Sequence, residues 1–422
     1  MAFVADLHIH SRFSRACSRE LNIPNLSKWA KLKGINLMGT GDCLHPLWSA
    51  ELKKDLRESD GLYEYDGVKF LPTVELACIY SDKGKVRRIH IVIVLPTLET
   101  AGKLAQALTK RGINLVSDGR PMMGMSSREL CEIVFSIEPE ALIIPAHIWT
   151  PWFSLFGSES GYDKFEDCFG EFSDQIFAVE TGLSSEPAMN WRVSQLDNKS
   201  IVSFSDAHSL PRLGREVTIF SGELSFKGLR DSLKNRKIIG TIEFFPEEGK
   251  YHYSGHRNCG IVYDSKQLKE KGEICPVCKR KLTLGVLKRV EDLADRKVEE
   301  LRVKSEEGIT KSQKFPEKPG FRMLVQLEEI VAESLHSTVA SQKTKSEYLR
   351  LISVLGPELK ILTKIPIEDI AKAGGEKLAE GVSRVREGKL SIQPGYDNTY
   401  GVVKIWDEMQ EKTAEVKQVG LF

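Results

Sequence analysis

An α/β barrel, a small zinc-binding module and a helical tail, in that order, are what this sequence predicts, and three observations carry the prediction. Seven short apolar runs in the first half of the 422-residue chain each hold a potential metal ligand. A His-x-x-Cys pair precedes a Cys-x-x-Cys pair, with fifteen residues between Cys259 and Cys275. From Val286 onward, apolar residues recur at helical spacing. The expected divisions are residues 1–245, 246–285 and 286–422.

The runs justify the barrel one by one. Phe3 to His10 ends in His8 and His10, Ile35 to Asp42 in Asp42, and Phe70 to Glu75 in Glu75. Arg88 to Leu95 carries His90 inside the run. Leu142 to His147, Ile176 to Glu180 and Ile201 to His208 supply His147, Glu180, Asp206 and His208. Runs this short, rich in Val and Ile and separated by stretches long enough for helices, read as buried parallel strands of βα units. Ligands gathered at the C-terminal strand ends place a site where barrels keep theirs.

Imidazole and carboxylate donors suit Zn, Mn or Fe, whereas thiolate would dominate a purely structural zinc site. A metal pair needs a bridging carboxylate, which Glu75 or Asp206 can supply. Such a pair activates water near neutral pH, a chemistry of hydrolysis. A lone histidine is more often a hydrogen-bonded core residue. His-x-His and Asp-x-His at strand ends in one chain weigh against that bland reading here.

His8-Ile9-His10-Ser11, Gly41-Asp42, Glu75, His90, Pro145-Ala146-His147 and Asp206-Ala207-His208, in this order, resemble the motifs of the PHP (polymerase and histidinol phosphatase) superfamily. The resemblance spans residues 1 to about 240 and implies a distorted (β/α)7 barrel holding two to three divalent metals (Zn, Mn, Mg or Fe). It implies that His8, His10, Glu75 and Asp206 hold one metal. Glu75 then bridges to a second, held also by His90 and His147. A third sits near Asp42 and His208, with Glu180 a weaker candidate. The chain departs from the family pattern at that third site. Gly41-Asp42-Cys43 replaces Thr-Asp-His, Ala16 falls where a further histidine is usual, and His45 is a possible substitute.

Composition narrows the setting. Sixty basic and 59 acidic residues nearly cancel, so no global charge declares a nucleic-acid partner. Eight scattered cysteines form no disulfide framework, which predicts reduced thiols and a cytoplasmic protein. No signal peptide is expected ahead of Phe3, and no apolar stretch approaches the ~20 residues of a membrane span.

His256, Cys259, Cys275 and Cys278 have the spacing of two knuckles closing one structural zinc site. His252 competes for the histidine position, and a redox dithiol at Cys275 and Cys278 is the other reading. Lys279, Arg280 and Lys281 follow the second knuckle and offer phosphate contacts; a merely solvated surface is the alternative. A helix is predicted from Val286 to about Lys304, a polar linker from Ser305 to Gly320, and a helix from Met323 to His336. Leu362 to Leu378 resembles a degenerate helix-hairpin-helix around Gly374-Gly375. Trp149, Trp152, Phe153 and Phe156 crowd the loop after His147, where exposed rings would stack on an extruded base unless they cap the core.

With these modules in sequence, Gly39 to Pro46, Ala146 to Phe153 and Cys259 to Leu287 resemble the endonuclease Q family over nearly the whole chain. That resemblance implies DNA as partner and incision 5′ of deaminated bases (hypoxanthine, uracil, xanthine) and of abasic sites. Asp42, Glu75 and Asp206 would be its catalytic carboxylates, serving a metal-activated water. A small-molecule phosphatase of the PHP superfamily, or a DNA-binding adaptor without turnover, are the alternatives.

Overall fold

The computed structural model describes residues 2–406. All seven ligand-bearing runs form strands: β1 (Ala2–Asp6), β2 (Leu37–Gly39), β3 (Val68–Leu71) with β4 (Thr73–Asp82), β5 (Lys85–Val94), β6 (Leu142–Pro145), β7 (Ala178–Glu180) and β8 (Ser200–Val202). β1 pairs in parallel with β2, β2 with β3, and β7 with β8. Their residues are almost all buried, which is why they lack polar alternation.

Parallel pairing fails between β4 and β6. β4 and β5 form an antiparallel hairpin with Asp82 opposite Lys85, and β5 runs antiparallel to β6. Lys83 (φ 47°) and Gly84 (φ 76°) make a two-residue turn with both residues left-handed, the geometry that suits a hairpin's twist. The two residues between Asp82 and Lys85 are far too few for the crossover that parallel strands require.

Capped helices fill several longer connections. Asn22 caps Ile23–Lys33, Thr97 caps Leu98–Lys110, and Ser126 with Glu129 forms a capping box on Ser127–Ile137. Each turns a buried apolar face inward.

The main sheet continues past the first expected division. β9 (Val217–Ser221) lies antiparallel to β1, stacking Phe220 on Phe3 at 5.4 Å, and β10 (Ile238–Glu243) lies antiparallel to β9. β11 (Gly320–Met323) then adds in parallel to β10. The expected 305–320 linker is instead largely a hairpin, Val303–Glu306 with Ile309–Ser312, turning at left-handed Glu307 and Gly308. The helix expected to reach Lys304 stops at Leu293. There Asp295 is held by Ser194, Arg296 pairs with Asp197, and the Arg192 carbonyl accepts the N–H groups of both 295 and 296. These contacts override local helix propensity.

The helical part of the tail runs from Leu327–Ser334 through Gln342–Leu355, Glu358–Thr363 and Ile367–Gly374 to Glu376–Arg386. Gly375, left-handed at φ 87°, joins the last two helices. Beyond them, Ser391–Gln393 pairs with Val402–Lys404 as strands, and residues 407–422 of the expected helical domain lie outside the described residues. The block docks through a buried ion pair, Lys33 Nζ to Glu358 Oε2 at 2.7 Å, with Tyr348 Oη donating to the same carboxylate at 2.8 Å. Breaking such a pair strands a buried charge, which costs about 3–5 kcal/mol. Among the described residues no helix is long and apolar enough to cross a membrane.

Candidate metal centre

His8, His10, Asp42, His147, Glu180, Asp206 and His208 sit at or just beyond strand ends and Glu75 near the start of β4, so short strands in a fixed order bring them together. Glu75 stands at the middle. Its Oε1 is 2.6 Å from His90 Nδ1 and 3.1 Å from His147 Nε2. Its Oε2 faces the other way, 3.4 Å from His10 Nε2 and 3.7 Å from His8 Nε2. Asp206 Oδ1 closes that second group at 3.0 Å from His10 Nε2 and 3.6 Å from His8 Nε2. Donor atoms of His8, His10, Glu75 and Asp206 lie within 4.8 Å of one another, and so do those of Glu75, His90 and His147. One carboxylate therefore belongs to both groups, one oxygen to each.

The donors fit divalent cations. His8 gives Nδ1 to Glu180 at 2.9 Å, while its buried Nε2 has no hydrogen-bond partner. A carboxylate that fixes one ring nitrogen and leaves the other free is how proteins present a metal-ligating histidine. Burial lowers His8, but the carboxylates of Glu180, Asp206 and Glu75 outweigh it and hold the ring well above its ordinary value. His10 is likewise raised against burial, by Asp206, Asp42 and Glu75. Burial would raise Glu75, yet His90, His8, His10 and His147 keep it well below the carboxylate range, and Asp206 is lowered by His8 and His10 in the same way. Burial depresses His90 to about 4. A divalent ion on neutral imidazoles would supply the positive charge that these carboxylates attract.

Backbone strain marks the same residues. Asp42 (φ 48°), His147 (φ 30°) and Asp206 (φ 45°) are all left-handed, a conformation kept only where surroundings enforce it. Gly182 makes room for His147, because a Cβ there would lie 2.2 Å from the His147 Cβ.

The remaining expected site residues divide. Asp42 accepts from Ser11 N at 2.7 Å, Ser11 Oγ at 2.6 Å and Ser14 Oγ at 2.9 Å, and lies 3.2 Å from His10 Nδ1; it orients His10. His208 packs its ring on His10 at 4.6 Å with its Nδ1 2.9 Å from the Asp206 carbonyl oxygen. Asp42 and His208 join no group of three close donors among the described residues. Glu180 is tied to His8 and also accepts from His147 N at 2.8 Å, so it supports two ligands. His45 joins no group of three close donors among the described residues; its Nε2 lies 3.1 Å from the Val116 carbonyl oxygen. Cys43 is buried beside it, and burial pushes its thiol far up, the behaviour of an inert core thiol.

The aromatic loop also divides. Trp149 is fully buried with Nε1 donating to Asn190 at 2.8 Å, and Phe156 packs on it at 5.0 Å; both are core and unavailable for stacking. Phe153 is half-buried, left-handed at φ 61°, and lies 4.7 Å from the His90 ring. Trp152 is half-buried against Tyr251 at 5.4 Å. Sequence reading missed Arg120, whose Nη1 is 3.2 Å from Glu75 Oε2. It lies in a stretch without periodicity; the Asp118-Gly119-Arg120-Pro121 turn is the only local signal. It also missed Asp6, which accepts from Ser205 N and Gly214 N at 3.0 Å each and so ties β1 to the Asp206 loop.

Away from this centre, donor atoms of His256, Cys259, Cys275 and Cys278 lie within 4.8 Å of one another. Desolvation raises Cys275, but the N–H groups of Cys278 and Val277 with nearby His256 outweigh it and bring the thiol down to about 6. A thiolate so stabilised fits zinc. His252 is not in this group; it is buried elsewhere. Lys279, Arg280 and Lys281 are all exposed.

Comparison with known proteins agrees with this layout. Residues 326–389 match the family model described as the MJ0043 C-terminal domain. Protein MJ0043 of Methanocaldococcus jannaschii is 30% identical over 263 residues, 60% of this chain, which spans 31% of that protein's length. The crystal structure of the lesion-specific endonuclease PfuEndoQ from Pyrococcus furiosus superposes with a TM-score of 0.82 at 32% identity, covering 97% of both chains. A structure of Endonuclease Q with a 27-mer duplex substrate, bearing an abasic lesion at the active site, matches with a TM-score of 0.82 at 33% identity over 97% of this chain and 98% of that one. Similarity end to end at this identity makes the chain a member of the endonuclease Q family.

Proposed function

We propose that this protein is a metal-dependent DNA repair endonuclease that hydrolyses the phosphodiester 5′ of deaminated bases (hypoxanthine, uracil, xanthine) and of abasic sites. The observation that carries the reading is Glu75, one carboxylate shared by two imidazole-rich groups, in a chain similar throughout to lesion-specific endonucleases. His8, His10, Glu75 and Asp206 would hold one divalent metal, and Glu75, His90 and His147 a second. Bound metals supply an activated water and neutralise charge on the phosphodiester. Asp42 and Glu180 keep His10 and His8 in the ring orientation that leaves their Nε2 atoms facing Glu75 and Asp206. A third metal near Asp42 and His208 has less support, because Asp42 Oδ2 already accepts from Ser11 and Ser14 and its Oδ1 faces His10.

Residues 1–245 are read as the distorted (β/α)7 barrel of the PHP superfamily. The parallel bridge from Ile9 to Ala207 and the bond from Ile148 N to the Glu180 carbonyl support it by linking successive short sheets. Residues 246–285 would form a structural zinc module that presents Lys279, Arg280 and Lys281 to DNA phosphates, with Trp152 and Phe153 near the lesion. Residues 286–422 would complete the DNA-holding surface. Eight unpaired thiols support a cytoplasmic setting.

The test is incision mapping on duplexes containing hypoxanthine, uracil, xanthine or an abasic site, with Mg, Mn and Zn varied against a metal-stripped sample. Cuts 5′ of the lesion that require metal are expected. Full cutting by a verified metal-free protein, or equal cutting of undamaged duplex, would overturn the reading.

A further inference from the structure

One cation at the metal centre has no role in holding metals. Arg120 reaches Glu75 Oε2 with Nη1 at 3.2 Å, and its side chain stays 28% exposed, so the guanidinium meets the carboxylate on a side chain that solvent still reaches. The loop that carries it is tightly built. Asp118 Oδ1 accepts from Arg15 N at 3.2 Å and from Arg120 N at 3.1 Å. Gly119 N donates to the Phe13 carbonyl at 3.0 Å, and the Pro121 carbonyl accepts from Ala77 N at 3.1 Å. A Cβ on Gly119 would lie 2.4 Å from the Asp42 carboxylate and 2.6 Å from Ser14 Oγ. Glycine is therefore the residue that lets this loop press against Asp42 and deliver its neighbour to the site.

We propose that Arg120 is a catalytic residue that holds a non-bridging oxygen of the phosphodiester being cut; this rests on the phosphodiesterase reading above. Cations held by Glu75 would compete with the guanidinium for Oε2 and repel it at short range. Its planar fork is then free for a substrate oxygen, the partner guanidinium recognises best after carboxylate. The site has use for such a group: two divalent cations would no more than balance the carboxylates of Glu75, Asp206, Asp42 and Glu180, which leaves the phosphate's own charge to be met. Arg215, the other arginine bonded at this centre, is committed to backbone, with Nε donating to the Ser205 carbonyl at 2.8 Å and Nη2 to that of Asp206 at 3.2 Å.

The experiment uses the full-length, metal-loaded protein and compares wild type with Arg120→Ala and Arg120→Lys. Metal content is measured by mass spectrometry and single-turnover incision on a lesion duplex. Binding is measured to that duplex and to one carrying an uncharged methylphosphonate at the scissile position. Arg120→Ala is expected to keep its metals and to cut about 10²- to 10³-fold more slowly, the usual cost of one transition-state donor. Its preference for the charged over the uncharged linkage should shrink about tenfold, as for losing one charged hydrogen bond. Added guanidinium ion should restore part of the rate, and Arg120→Lys should recover part of it without that addition. Incision by Arg120→Ala within about threefold of wild type, or an unchanged linkage preference, would overturn the proposal. So would loss of metal from Arg120→Ala, which would make the arginine a support for Glu75. A wild type that cuts no lesion duplex would instead sink the functional reading, and this inference with it.

Discussion

His256, Cys259, Cys275 and Cys278 all come from residues 256–278, whereas the central ligands are gathered from residues 8–206. In the small module, the second knuckle is set by its own turn, where Cys275 N donates to the Arg280 carbonyl at 2.8 Å and Lys279 N to that of Cys275 at 3.0 Å, and only the first is held from afar, by Asp397 accepting from Arg257 N at 2.7 Å. In the central site, donors are set by partners far away in sequence, His8 by Glu180 and His10 by Asp42. One imidazole and three thiols would close a tetrahedral zinc site without a position for water, whereas imidazole and carboxylate groups sharing Glu75 would leave positions for water and substrate. Local ligand sets build scaffolding; distributed ones build reaction centres, because only the whole fold can aim a carboxylate at two groups at once.

The largest effect should come from breaking the sharing. Glu75→Ala removes the one side chain common to both groups and should reduce incision to the metal-free background. DNA affinity, carried elsewhere, should change little. Residual cutting above that background in a single-turnover assay would show that one group suffices, and the contrast with the zinc module would lose its functional meaning.

A smaller loss should follow from Glu180→Gln, which leaves every proposed ligand in place but weakens the acceptor that fixes His8 and receives His147 N. Changes to such supporting partners cost about 10- to 100-fold in metal affinity or activity. Metal titration of the stripped protein should therefore show weaker loading of the central site while the zinc module keeps its ion. Unchanged loading would make Glu180 a packing residue.

Neutralising Lys279, Arg280 and Lys281 together tests the module from the other side. Affinity for damaged and undamaged duplex should fall alike, and the dependence of log K on log salt should flatten by about 0.9 for each phosphate no longer neutralised. Cut position should hold, since the central site fixes it. A shifted cut at constant affinity would assign the module to the reaction itself.

What the sequence disclosed follows the same contrast. Knuckle spacing is local, and His256, Cys259, Cys275 and Cys278 assemble as read. The ligand-bearing runs were legible as strands because burial on both faces leaves an unbroken apolar signature. Side-chain aim was not. Trp149 and Phe153 are four residues apart in one aromatic loop, yet one is sealed in the core and the other lies against His90. Nothing in composition separates them, because the left-handed Phe153 backbone decides which way that ring faces. Arg120 stayed hidden for a related reason: its loop has no periodicity, and its meaning comes from a glycine packed against Asp42.

The smallest expected effect concerns what lies beneath the central site, for which the zinc module has no counterpart. Glu216 and Glu243 are fully buried close to Glu180, and Glu243 accepts from Ser203 Oγ at 2.5 Å, from Thr181 Oγ1 at 3.1 Å and from Thr241. Burial is the main cause that raises both acids, with their mutual repulsion adding to it for Glu216; Glu243 is pushed up to about 7. A raised carboxyl folds best protonated. Its contribution is therefore complete below the unfolded value of about 4.3 and is lost as pH rises through the folded value. Glu243→Gln keeps the shape without the charge. It should leave thermal stability at pH 5 nearly unchanged and raise the melting temperature at pH 8 by ~2–4 °C, as expected for about 1 kcal/mol in a domain of this size. Thermal unfolding of wild type and variant across pH 5 to 8 checks the sign. A variant that loses stability equally at both ends would mean that Glu243 serves through its hydrogen bonds alone, with no charge of its own to lose.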